Sequence, residues 1–139
     1  MPMRLQSTIQ FFSTKPRLLF LLDGLGAAAT TIALLFVLRP FGHYIGMPID
    51  IVNNLSVLGF IFCVYSIGCY FLLKRNWSPF LSIIACCNLL YCVATITLLY
   101  LNYSRLTRLG ISYFLVEIVI IGLIVYIEFR VASALKGKR

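Results

Sequence analysis

The chain has 139 residues, 61% hydrophobic and only 12% charged, with a net charge of +8. Soluble domains are about 45–50% apolar and about 25% charged, so a water-soluble globule is excluded. At about 20 residues per crossing of a hydrocarbon core about 30 Å thick, the length fits one domain of four membrane-crossing helices.

In chain order, residues 1–17 come first, with Leu5, Ile9 and Phe12 at helical spacing among polar neighbours and Arg4, Lys15 and Arg17 beside them. This cytoplasmic N-terminal segment reads either as a short helix lying on the inner leaflet or as a frayed basic end. Four apolar runs follow, at about 18–38, 51–73, 80–101 and 109–129. Each predicts a transmembrane helix, and together 18–129 form the membrane domain. Strands are excluded, because backbone groups in lipid must pair within one segment or within a closed barrel, and these runs lack barrel alternation. The first run is not a cleaved signal peptide: Asp23 and Gly24 interrupt its core, and Ile32 to Leu38 continue it past Ala27-Ala28-Ala29. The fold class is therefore all-α, an antiparallel up-down-up-down four-helix bundle with short connections and a basic tail at 130–139.

Orientation follows from the basic residues. Nine of them (Arg4, Lys15, Arg17, Lys74, Arg75, Arg130, Lys136, Lys138 and Arg139) fall on one side, against Arg39, Arg105 and Arg108 on the other. Basic loops resist translocation, so both termini are expected to be cytoplasmic. Because the positive charge sits at helix ends, it suits lipid phosphate, and no nucleic-acid partner is expected.

Ionisable groups at membrane depth must face protein or water, and two qualify: Asp23 in the first span and Glu117 in the fourth. The second span repeats small or polar residues at Asn53, Ser56, Gly59, Cys63, Ser66 and Tyr70, which share one helical face. With Asn88 and Tyr91 on the third span, these predict a polar seam of Asp23, Ser66, Asn88, Tyr91 and Glu117. In the structural version of that seam, a neutral Glu117 bonds to Asn88 or Tyr91 and holds two helices together. In the functional version, Asp23 and Glu117 line a path for a proton, a cation or a cationic small molecule. Glu128 and Asp50 are expected at helix ends, within reach of headgroups. Gly24 and Ala28 form a small-xxx-small pair expected to serve close helix approach. Arg39, His43 and Asp50 share the outer connection, where they could contact an anion or lipid headgroup; the competing reading has Arg39 snorkelling, Asp50 capping a helix and His43 solvated.

No catalytic residue is expected. The five cysteines (Cys63, Cys69, Cys86, Cys87 and Cys92) lie inside spans with no C-x-x-C, which argues against thiol oxidation and a disulfide framework. The single histidine, His43, lies outside the spans, which excludes bis-histidine haem and a histidine-based intramembrane dyad. No metal site and no cofactor are expected.

Leu22-Asp23-Gly24-Leu25-Gly26-Ala27, Phe41-Gly42, Gly46-Met47-Pro48, Asn88-Leu89-Leu90-Tyr91-Cys92 and Leu109-Gly110 followed by Tyr113-Phe114 and Glu117 together resemble a group of small, uncharacterised four-helix inner-membrane proteins of bacteria. The resemblance runs from about Leu18 to Ala132 and implies the topology and a bacterial inner-membrane location, with no catalytic residue. The sequence thus predicts a non-enzymatic integral membrane protein. It is expected to be a scaffold or a subunit of a membrane assembly, homo-oligomeric or bound to another membrane protein through the small-residue face of the first span. The alternative is a small proton- or cation-linked transporter or channel using Asp23 and Glu117, for which a cavity touching those carboxyls is the distinguishing feature.

Overall fold

The computed structural model describes residues 3–138, so Met1, Pro2 and the tail residue Arg139 lie outside the described residues. The chain is an all-helical bundle with four helices long and apolar enough to cross a membrane, Pro16–Leu38, Ile49–Leu72, Trp77–Leu101 and Arg108–Gly137. These are the four expected runs.

Helix α1 (Met3–Thr14) precedes the bundle. A break at Lys15 separates it from α2 (Pro16–Ala33), which opens on a proline whose fixed φ suits the first helical turn. Beyond Ala33 the helix continues as a π-helical stretch, Leu34–Leu38, closed by Arg39 N donating to Leu34 O at 2.9 Å. Pro40 then stops the rod, since it has no N–H to extend the ladder. The one-turn helix α3 (Gly42–Ile45) ends at Gly46, whose φ of 83° is a conformation open to glycine. Helix α4 (Ile49–Leu72) and helix α5 (Trp77–Leu101) are joined by a tight turn with Asn76 at φ 58°. Helix α6 (Arg108–Gly137) begins at Thr107, whose side chain caps it by accepting from Gly110 N at 3.1 Å. It runs eight residues past the expected end at 129, so the basic tail is helical as far as Gly137.

Packing divides the bundle into two hairpins. Helix α2 packs along α4, and α5 packs along α6, whereas direct contact between the two pairs is sparse. Glycines set the first pairing. A Cβ on Gly59 would meet Thr31 Oγ1 at 2.7 Å, and one on Gly24 would meet Ile67 Cδ1 at 2.7 Å, so a side chain at either position would force the facing side chain to move.

Two apolar clusters close the ends. At the end carrying both termini, Leu19, Phe20, Cys69, Leu81, Ile84, Val131 and Ala132 form a core, and Ile9 and Phe12 of α1 pack onto it. At the far end, Leu34, Leu38, Ile45, Met47, Val52, Leu55, Tyr91, Leu99 and Phe114 form the other. Pins reinforce both. Ser78 Oγ donates to Ala132 O at 2.8 Å near the termini, and Arg17 Nε donates to Tyr70 O at 2.6 Å with its guanidinium 4.8 Å from the Tyr70 ring. At the far end Thr107 N donates to Ile45 O at 3.1 Å, and the Thr107 hydroxyl reaches the carbonyls of Tyr44 and Ile45.

Candidate functional site

Between the clusters lies a polar layer fed by all four long helices. Asp23 of α2 is buried at 5% exposure. Its Oδ2 accepts from Ser66 Oγ of α4, and its Oδ1 accepts from Asn88 Nδ2 of α5 at 2.7 Å. Each partner is a turn away from the terminal cluster: Leu19 and Phe20 precede Asp23, Ile84 and Ala85 precede Asn88, and Cys69 follows Ser66. Helical periodicity therefore holds the polar groups against one apolar floor.

Three residues further along α5, Tyr91 donates its hydroxyl to Glu117 Oε1 of α6 at 2.9 Å. Glu117 is 7% exposed, and its Oε2 is buried with no hydrogen-bond partner. Of the two partners expected for Glu117, Tyr91 is the bonded one, and Asn88 is committed to Asp23. The five seam residues thus fall into two groups, Asp23–Ser66–Asn88 and Tyr91–Glu117, with no direct hydrogen bond between Asn88 and Glu117.

Both groups open onto one cavity of about 570 Å³. Asp23, Asn88, Tyr91 and Glu117 are in its wall, Gly59 and Phe62 contribute from α4, and the small face of α2 from Gly26 to Ala33 forms one side. The rim residues Ala29, Ser112, Val116 and Ile120 are exposed, so the cavity is a cleft opening sideways between α2 and α6. It exists because α2 presents glycine, alanine and threonine where a packed bundle would present leucine. The volume lies in the range of small-molecule sites, which combine apolar walls with a few convergent polar groups.

Other candidates fall elsewhere. Arg39, His43 and Asp50 are all exposed, and no hydrogen bond or ion pair links them. Gly24, expected on a small-residue docking face, is buried against Ile67 of α4 within the chain. Glu128, expected at a helix end near headgroups, is instead fully buried at 0% exposure, with Asp23 and Asn88 as its neighbours. The reason is the length of α6. With the helix running on to Gly137 and with Val131 and Ala132 packed into the terminal cluster, residue 128 lies two turns inside the bundle. Among the described residues, no group of three or more histidine, cysteine or acidic residues is placed to hold a metal ion, and the five cysteines are free thiols.

No protein-family model, no curated protein and no solved structure matches this chain.

Proposed function

We propose that this integral membrane protein is a non-enzymatic carrier or binding protein for a hydrophobic cation, which occupies the cleft between α2 and α6. The observation that supports the reading is the cleft itself: about 570 Å³, apolar over most of its wall, with the carboxyl groups of Asp23 and Glu117 at its inner side. In a medium without water, a carboxylate is the group that replaces the hydration a cation gives up on entry. The apolar wall and the sideways opening suit a guest that partitions into the bilayer. The scaffold or assembly-subunit reading takes second place, since Gly24 of the anticipated docking face is used inside the chain.

The charge asymmetry supports an orientation with both termini, α1 and the Arg17–Tyr70 pin in the cytoplasm, and the resemblance to small bacterial inner-membrane proteins is what supports a bacterial inner-membrane setting. On that orientation the cleft runs outward from Asp23 to Leu109 at the periplasmic end of α6.

The test is calorimetric titration of the detergent-purified protein with tetrabutylammonium, a cation whose charge does not titrate. The wild type is expected to bind, and Asp23→Asn and Glu117→Gln each to weaken binding at least about tenfold, a change of about 1.4 kcal/mol. Equal affinity in the wild type and both variants, or no binding by the wild type, overturns the reading.

A further inference from the structure

Glu128 does not line the cleft, yet it is the most deeply enclosed carboxyl among the described residues, at 0% exposure against 5% for Asp23 and 7% for Glu117. Neither of its oxygens has a hydrogen-bond partner. Its neighbours are Asp23 from α2 and Asn88 from α5, and Ser66 of α4 completes the group on the other side of Asp23. The available donors are unevenly shared. The Ser66 hydroxyl and the Asn88 amide both donate to Asp23, one to each oxygen, while Asn88 and Asp23 lie beside Glu128 without a donor in full hydrogen-bond geometry to its oxygens. Among the described residues, α1 included, no lysine, arginine or histidine is a neighbour of either carboxyl. Two carboxylates enclosed side by side cannot both stay ionised without a positive charge between them. That charge must be small, because the apolar cluster of Leu19, Phe20, Val131 and Ala132 closes the space on the terminal side.

We propose that Asp23 and Glu128, with Ser66 and Asn88, form a buried binding site for one small monovalent cation, a proton or a sodium ion. The shared chemistry is a single positive charge accepted by the free oxygens of Glu128 and balanced by the carboxylate of Asp23. The site sits behind the cleft, and its existence does not depend on what the cleft takes. With one such cation bound, the pair retains one negative charge, and that charge reaches the cleft through Asp23. A cation bound to the folded form and released on unfolding stabilises the fold by mass action.

The experiment is thermal unfolding of the purified full chain in detergent, with potassium as the constant background cation, from about pH 5.5 to about pH 9. In the proton arm, the wild-type melting temperature falls by about 5 °C or more as pH rises, and added sodium does not restore it. In the sodium arm, sodium at alkaline pH raises it by a similar amount above the potassium background. Either result supports the site, provided Glu128→Gln, which keeps the shape and carries no charge to compensate, removes most of the response. Because a lone variant could misfold, the Asp23→Asn/Glu128→Gln double variant, which removes both acids of the pair, is a second measurement and is expected to lose the same response, whereas Asp23→Asn alone leaves Glu128 buried and keeps part of the pH dependence. A wild type insensitive to both pH and sodium overturns the proposal, as does a Glu128→Gln protein that keeps the full response. Failure to bind tetrabutylammonium has no bearing on these melting curves, so the two readings stand or fall separately.

Discussion

The Tyr91 hydroxyl donates to Glu117 Oε1 at 2.9 Å and is the only hydrogen bond made by that carboxyl among the described residues. It joins α5 to α6 in the wall of the cleft. Tyr91→Phe leaves a buried acid with no partner, and interhelical polar bonds in membranes average about 0.6 kcal/mol. We expect Tyr91→Phe to lower stability by about 1 kcal/mol, and a double-mutant cycle with Glu117→Gln to return a coupling of about 0.6–1.7 kcal/mol, measured by unfolding in mixed detergent. A coupling of zero would show that the bond carries no net stability.

Close approach of α2 and α4 depends on Gly59 rather than on glycine in general. Gly59→Ala pushes a methyl group to 2.7 Å from Thr31 Oγ1, which is itself held by a bond to Ala27 O at 2.9 Å and cannot easily turn away. Gly68→Ala on the same helix meets nothing within 4 Å. The first substitution is expected to destabilise by about 1–3 kcal/mol. The second is expected to be neutral or to stabilise by up to about 1 kcal/mol through helix propensity. Melting temperatures of the two variants decide the point.

Thr107 caps α6 and clasps α3 with a single side chain. Thr107→Val keeps the shape and loses both functions, so a cost of about 1–2 kcal/mol is expected. Hydrogen exchange should show it locally, as faster exchange of the Gly110 and Thr107 amides with little change in α4. Gly46→Ala is expected to be worse, because its φ of 83° is strained for alanine and the new Cβ would collide with the Arg105 carbonyl.

Filling the cleft tests its role without touching a carboxyl. Ala29 is exposed on the rim, so Ala29→Trp has room to fold in across the opening without disturbing the α2–α4 packing. We expect tetrabutylammonium affinity to fall at least about tenfold, with a melting temperature within about 3 °C of the wild type. Unchanged affinity would place any bound cation elsewhere.

The four spans were legible because hydrocarbon thickness dictates the length of an apolar run, and charges and turn residues punctuate this sequence at the right intervals. The Asp23–Ser66 pairing was legible too, since both residues sit on small-residue faces at matching depth in antiparallel rods. Glu128 was not. Phe129 looks like the end of an apolar run, and only the continuation of α6 under the α1-covered cluster turns a terminal glutamate into an interior one. The cleft was also hidden, because a stretch of glycine and alanine encodes close contact and open space with the same letters. In α2 it does both: Gly24 meets Ile67 of α4, while Gly26, Ala29 and Ala33 border the cleft.

The sparse packing between the α2–α4 and α5–α6 hairpins bears on biogenesis. Asp23 and Ser66 belong to the first half, whereas Asn88, Glu117 and Glu128 belong to the second. A half inserted alone keeps the Asp23–Ser66 and Tyr91–Glu117 bonds, but Asp23 lacks Asn88 and Glu128 lacks the cover of α2 until the halves mate. Assembly is thus self-reporting: an orphaned hairpin displays acidic groups that membrane chaperones and proteases can read, and mating of the halves buries Asp23 and Glu128 against each other.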